Sequence, residues 1–156
     1  MKTAIAFGAA AAAVMIAVGG MATTAVRAQS PEAQVEARQD YMKSLGGAAK
    51  TAGDYFQKGE GTLDEVRAAL KTLGEKAPDL EAQFPEGTGV GVADSEALAT
   101  VWEEPDAFAE VVGTAQERWQ AAAAIADEGG ENELKAAFAQ AGQACGACHE
   151  DFRQQD

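Results

Sequence analysis

Apolar residues recur at helical spacing along the first quarter of the chain that follows residue 28. Successive positions step by three and four residues, as on one face of an amphipathic helix: Val35, Arg38, Met42, Leu45, Ala49, Ala52 and Phe56. Ser30 supplies a capping hydroxyl and Pro31 suits the first helical position. Gly59 favours an end after Lys58. The pattern predicts a first helix from about residue 31 to Lys58.

A second helix is predicted after a short glycine-containing turn. Thr62 and Glu65 have the spacing of a capping box, and Pro78 marks the end of the segment. Its apolar stripe consists of Leu63, Val66, Leu70, Leu73 and Ala77. The glycine-rich stretch from Phe84 to Ala93 has no periodicity and predicts a long loop.

Two further helices are predicted in the second half of the chain. One begins at Pro105 and is expected to end at Gly129-Gly130; its inward positions are Phe108, Val112, Ala115, Trp119, Ala122 and Ala126. The last carries Leu134, Phe138, Ala141, Cys145, Cys148 and Phe152 in steps of four and three. No segment alternates like a strand. Four such helices predict an all-α fold, an antiparallel four-helix bundle.

Residues 1–28 have the features of a secretory signal peptide. Lys2 precedes an alanine-rich apolar stretch, and small residues lead to Val26-Arg27-Ala28. A transmembrane anchor is the alternative, but the apolar stretch is short and is interrupted by Gly19 and Gly20. We expect cleavage near Ala28, a periplasmic location, and a mature domain of residues 29–156.

Composition alone would suggest a chain that cannot fold. Leu, Ile, Val and Phe account for only 26 of 156 residues, and the net charge is −13. Removing residues 1–28 removes Lys2 and Arg27 but no acid, which leaves 10 basic and 25 acidic side chains and a charge of −15. Few core-forming residues with high charge are typical of disorder, unless something else completes the core. The strong negative charge also argues against nucleic-acid binding.

The last helix contains the motif Cys145-Gly-Ala-Cys148-His149, which is typical of covalent haem c attachment. Two thiols on one helical turn can bond both vinyl groups of a porphyrin, and the next imidazole can reach the iron. Three alternatives are a thioredoxin-like redox pair, a zinc site and a structural disulfide. A redox pair usually opens a helix in an α/β unit, zinc needs a fourth ligand, and a disulfide leaves the sole histidine unexplained. We therefore predict one haem c, which would also complete the core.

With these features the mature chain resembles the class II cytochromes c, the cytochrome c' family. Five motifs carry the resemblance: Arg38-Gln39, Phe84-Pro85-Glu86-Gly87, Val101-Trp102-Glu103-Glu104 before Phe108, the C-terminal haem motif, and Phe152-Arg153. The resemblance implies an exported four-helix bundle with haem c between the helices near the C-terminal helix. The loop between Phe84 and Trp102 is longer than in the family, so no haem contact is carried over from it.

An arginine on the inward stripe of the first helix requires a partner, because a buried charge must be paired. The propionates of a haem would suit the Arg38 guanidinium, and a surface acid is the alternative. The resemblance points to the propionates and suggests Gln39 as a second contact. Arg153 lies one turn after His149. It either adjusts the charge beside the iron or simply complements the helix dipole.

The resemblance also makes Met42 a candidate ligand. In the low-spin subgroup a methionine at this position is the sixth iron ligand, whereas in cytochrome c' the residue there blocks the iron without binding it. Met42 is the only methionine left after residue 28. A core methionine is ordinarily a gap filler. We expect His149 and Met42 to be the axial ligands, which places the chain with the low-spin subgroup.

These features predict a one-electron carrier rather than an enzyme. Its partners would be transient redox proteins with a basic docking face, which suits the negative charge; a homodimer is a further expectation from the resemblance. The alternative is a five-coordinate cytochrome c' that binds or sequesters nitric oxide or carbon monoxide.

Overall fold

A computed structural model describes residues 29–155, so the predicted signal segment lies outside the described residues. Within this range the chain forms five helices: α1 (Pro31–Lys58), α2 (Leu63–Lys76), α3 (Thr100–Glu103), α4 (Pro105–Ala124) and α5 (Glu131–Phe152). Two short 3-10 segments, Ala77–Asp79 and Glu81–Gln83, follow α2. The four long helices form the predicted bundle, and the tight connections make α1 antiparallel to α2 and α4 antiparallel to α5.

Local side-chain chemistry explains where the first two helices begin and end. The Ser30 hydroxyl accepts a hydrogen bond from the Ala33 N–H at 3.3 Å. Gly59 ends α1 in a left-handed conformation with φ +70°, which glycine adopts without strain. Thr62 and Glu65 form a complete capping box, with bonds of 3.2 and 2.7 Å. The predicted boundaries of α1 and the predicted start of α2 are therefore confirmed.

The core lies along α2 and α4 and includes residues of α1 and α5, and most positions of the predicted stripes are buried in it. Helices α2 and α4 approach closely at Gly74, since glycine has no side chain there. A Cβ atom at this position would overlap the side chain of Ala123. The neighbouring pairs α1–α2 and α4–α5 also pack along their length, whereas α1 and α5 touch only sparsely. This uneven packing leaves a space between α1 and α5.

The predicted end of the third long helix is wrong. It ends at Ala124 rather than at Gly129-Gly130, and the guanidinium of Arg67 on α2 binds the carbonyl groups of the turn that follows. Its Nη1 donates to Asp127 O at 2.7 Å and to Ala126 O, and Nη2 donates to Gly129 O at 3.1 Å. These bonds give carbonyl groups of the turn a hydrogen-bond partner and fix the turn into α5. Because these hydrogen bonds join residues about sixty positions apart, no local sequence pattern predicts them.

The irregular loop that the sequence predicts from Phe84 to Ala93 extends to Ala99 in the structure, where α3 begins at Thr100. The last residues of the loop are hydrogen-bonded to the end of the bundle. Leu98 N donates to Phe152 O at 3.0 Å, and Gln154 N donates to Glu96 O at 2.8 Å. The loop thereby forms a single antiparallel bridge with the residues that follow α5. None of the helices in residues 29–155 is long and apolar enough to cross a membrane.

Candidate haem site

The two cysteines lie on one turn of α5 and face the space between α1 and α5. Both are half-buried, and neither forms a disulfide. Burial raises the pKa of Cys145, and burial together with nearby negative charge raises the pKa of Cys148 to about 11. Both side chains are therefore protonated thiols at neutral pH. The geometry brings them together as the motif predicts.

His149 follows Cys148 on the same helix and lies on the wall of the same space. Its side chain remains accessible to solvent. Partial burial lowers the pKa of His149, the positive charge of Arg153 lowers it further, and Glu96 opposes both effects. A lowered pKa favours the neutral imidazole, which is the form that binds a metal.

A cavity of about 560 Å³ occupies the space between α1, α4, α5 and the 84–99 loop. This volume is within the range of roughly 300–1,000 Å³ typical of cofactor pockets. Most of its wall is apolar, including Leu45 and Ala49 of α1, Ala115 of α4, and Phe138 and Ala141 of α5. The two thiols and the imidazole stand on the α5 side of this apolar cavity.

Met42 lies on the α1 wall of the cavity, so the structure brings it into the same site as His149. Its side chain is half-buried. Gly46, one turn further along α1, also lines the cavity. The α1 side therefore offers one thioether among small and apolar residues.

Arg38 is buried in the position that the helical stripe predicts, with only 5% of its surface exposed. The alternative partner, a surface acid, is wrong, because its guanidinium binds neutral oxygens of the loop instead. It donates to Thr88 Oγ1, Thr88 O and Ser95 Oγ, each at 2.8 Å. It also lies over the Phe84 ring, 5.0 Å from the ring centre. Because it also lines the cavity, a contact with a propionate stays a prediction.

Gln39 reaches the loop from the same helix. Its Nε2 donates to Asp94 O at 3.0 Å, and the residue lines the cavity beside Arg38. A role beside a propionate stays a prediction for Gln39 as well. Thus both members of the Arg38-Gln39 motif hold the loop against α1.

The loop contributes site residues that the sequence does not reveal. Asp94, Ser95, Glu96 and Ala97 line the cavity. Glu96 binds Arg153, whose Nε donates to the carboxylate at 2.6 Å. The only signal available was the resemblance of Phe84 and its neighbours to a family motif, which does not extend to these residues. The pair also shows that Arg153 does more than complement the dipole of α5.

The residues present fit a covalently attached haem. Two thiols one turn apart and an adjacent imidazole face an apolar cavity of suitable size. The buried indole Nε1 of Trp119, on the α4 side of this cavity, has no hydrogen-bond acceptor in the described part of the chain. Among residues 29–155, no group of three or more His, Cys, Asp or Glu side chains is arranged to hold a bare metal ion.

Comparisons with known proteins identify the family. The family model described as Cytochrome C' matches residues 33–153. Cytochrome c-554 of Cereibacter sphaeroides is 36% identical over 146 residues, which cover 87% of this chain and 90% of that protein. The family binds covalently attached haem c, and its members are periplasmic.

Solved structures share the fold. A cytochrome c' described as having ligand-controlled dimer dissociation has a TM-score of 0.74 and 25% identity, covering 81% of this chain and 98% of that one. The nitric oxide complex of a leucine-to-alanine variant of cytochrome c' from Alcaligenes xylosoxidans has a TM-score of 0.70 and 25% identity, covering 81% and 97%. The expectation of a bundle with haem c is confirmed. The assignment to the low-spin subgroup with His149 and Met42 as ligands finds no support in these comparisons.

Proposed function

The chain belongs to the cytochrome c' family, and from this membership we propose that it is a periplasmic haem c protein that binds a diatomic gas, nitric oxide or carbon monoxide. A bound haem would supply an iron that can take up the gas. Cys145 and Cys148 would hold the group through two thioethers, and His149 would ligate its iron. Residues 1–28 direct export and are removed near Ala28.

The observation that carries this proposal is the composition of the cavity wall on α1. Besides the thioether of Met42, the apolar part of that wall consists of Leu45, Gly46 and Ala49, none of which can ligate a metal. The polar residues of the same wall have other partners, since Arg38 and Gln39 bind the loop and the exposed Lys43 pairs with Asp40. A small uncharged gas needs an apolar space beside the iron and no strong competing ligand. The likeness to a cytochrome c' solved as a nitric oxide complex supports the same function.

The residues of this chain have distinct roles in such a protein. The apolar wall excludes water and charged ligands from the cavity. The neutral imidazole of His149 donates its free electron pair, and the lowered pKa favours this form. The bonds from Arg38 to Thr88 hold the 84–99 loop as the outer wall.

A second candidate function is electron transfer with Met42 as the sixth ligand. The observation that favours it is that Met42 lines the same cavity as His149. Thioether ligation raises the reduction potential and suits a carrier. In that case a gas must first displace the methionine, which slows binding and weakens it.

Titration of the reduced protein with carbon monoxide and nitric oxide tests the proposal, with Met42→Leu as the matched variant. We expect rapid saturable binding, and we expect Met42→Leu to leave the spectrum of the gas-free protein unchanged. A low-spin spectrum that Met42→Leu converts to high-spin, with gas affinity rising tenfold or more, would reject the proposal in favour of the carrier.

A further inference from the structure

The indole of Trp119 is an unexplained polar group in the core. Trp119 is 3% exposed, and its Nε1–H has no acceptor in the described part of the chain. A buried tryptophan usually finds a partner for this group, because a buried donor without one has lost its hydrogen bond to water without replacement. Within residues 29–155, the folded chain thus leaves this donor without a formed hydrogen bond.

The other tryptophan shows that the fold can satisfy an indole. Trp102 Nε1 donates to Phe84 O at 3.1 Å. Trp119 differs from Trp102 in that it lines the cavity between α1, α4, α5 and the 84–99 loop. The tryptophan that lacks an acceptor is therefore the one that faces the cavity, whereas the tryptophan outside the cavity has one.

The sulfur of Cys145 is the heteroatom suited to this role. Cys145 and Trp119 line the same cavity, and other wall residues near them, such as Ala115, Ala141 and Ala144, are apolar. Burial raises the pKa of the Cys145 thiol, and the nearby Trp119 N–H partly opposes this effect by lowering that pKa. The two groups are therefore neighbours, without a formed hydrogen bond in the haem-free chain.

Attachment of the haem would convert the Cys145 thiol into a thioether. The thiol adds across a vinyl group, so that the sulfur bonds to one vinyl carbon and the hydrogen of the thiol goes to the other. No electrons are gained or lost from outside. The resulting thioether has lost its own donor but keeps both lone pairs, and it becomes purely an acceptor.

We propose that the Trp119 Nε1–H donates a hydrogen bond to the thioether sulfur of Cys145 in the haem-loaded protein. Trp119 would then be a positioning residue, which holds the Cys145 thioether against α4 and draws electron density from its sulfur. The inference rests on haem attachment through Cys145 and is independent of gas binding. Because only the difference in strength of this weak bond between the oxidised and reduced haem shifts the equilibrium, its loss should change the equilibrium constant of haem reduction by at most about fivefold.

Removal of the N–H without loss of shape is the sharpest test. Biosynthetic replacement of tryptophan by benzothienylalanine exchanges the N–H for a sulfur and nearly preserves the ring. In a Trp102→Phe background only Trp119 remains to be replaced. We expect the equilibrium constant of haem reduction to fall measurably, by up to about fivefold, relative to the same background with natural tryptophan. In a Trp119→Phe background, the same replacement at position 102 should leave the potential unchanged. An unchanged potential at position 119, or an equal shift at both positions, would overturn the proposal.

A second measurement identifies the acceptor. In reduced, carbon monoxide-saturated protein labelled with ¹⁵N-tryptophan, the indole resonance of Trp119 should move on Cys145→Ala but not on Cys148→Ala. Equal responses to the two variants would reject Cys145 as the acceptor, as would magnetisation transfer from a buried water to this N–H. If neither variant loads haem, the benzothienylalanine comparison decides the proposal alone.

Discussion

Arg38→Met should release the 84–99 loop from the bundle. The guanidinium makes three hydrogen bonds of 2.8 Å, two to Thr88 and one to Ser95. Both partners are buried, Thr88 completely and Ser95 to all but 7% of its surface. Methionine fills a similar length of side chain but provides no donor. The perturbation therefore removes the bonds while keeping most of the apolar contact.

The expected magnitude follows from these contacts. A hydrogen bond to a charged group contributes about 1.5–3 kcal/mol net, but burial of the guanidinium offsets part of this gain. Some loop oxygens keep a partner, since the Thr88 hydroxyl also donates to Pro85 O at 2.8 Å. We therefore expect Arg38→Met to lower the free energy of unfolding by about 2–4 kcal/mol. Arg38→Lys should recover only part of it, because an ammonium cannot bind three oxygens in the forked geometry.

Urea unfolding of the haem-loaded protein measures the global loss, and amide hydrogen exchange over residues 84–99 measures the local one. At about 1.4 kcal/mol per tenfold, the loop should exchange on the order of a hundredfold faster. Arg118→Met is the matched control, because Arg118 is exposed and its one bond reaches Gln140 at 2.6 Å. A loop that exchanges at the wild-type rate in Arg38→Met, with stability equal to that of the control, would refute the reasoning.

Three further predictions concern the bundle. A Cys145→Ala, Cys148→Ala chain, which cannot attach haem, should lose the cooperative urea transition because the core is incomplete; a sharp transition without haem would contradict this. Gly74→Ala should lower the free energy of unfolding by about 1–2 kcal/mol, because overpacking exceeds the gain in helix propensity. Gly113→Ala should not lower the free energy of unfolding, because nothing lies within 4 Å of a new Cβ there. Equal effects of the two substitutions would be inconsistent with a close approach of α2 and α4 at Gly74. Burial raises the pKa of Tyr41 to about 12. The neutral phenol therefore contributes fully to the free energy of unfolding below pH 10, and this contribution is lost as the pH rises through 12. Urea unfolding from pH 9 to 12 should therefore decline more steeply in wild type than in Tyr41→Phe, and parallel curves would exclude the effect.

The bundle could be predicted from the sequence because its signals are local. The stripe from Val35 to Phe56 and the capping box at Thr62 each lie within a few helical turns. The haem motif is equally local, since Cys145, Cys148 and His149 share one turn of α5. Their placement on one cavity wall follows from helical spacing alone.

The loop side of the site could not be predicted, because its contacts join distant parts of the chain. Arg38 and Thr88 are 50 positions apart, and Glu96 and Arg153 are 57 apart. The stripe indicates that Arg38 is buried, but no spacing rule identifies its partners. Likewise, the sequence places Trp119 inward, whereas its missing acceptor is visible only once the surrounding atoms are placed.

The oxidised spectrum of the haem-loaded protein at neutral pH tests the central proposal most directly. We predict a high-spin, five-coordinate ferric haem with His149 as the axial ligand, whose spectrum Met42→Leu does not alter. A low-spin spectrum with a methionine–iron charge-transfer band that disappears in Met42→Leu would contradict the proposal and establish Met42 as the sixth ligand.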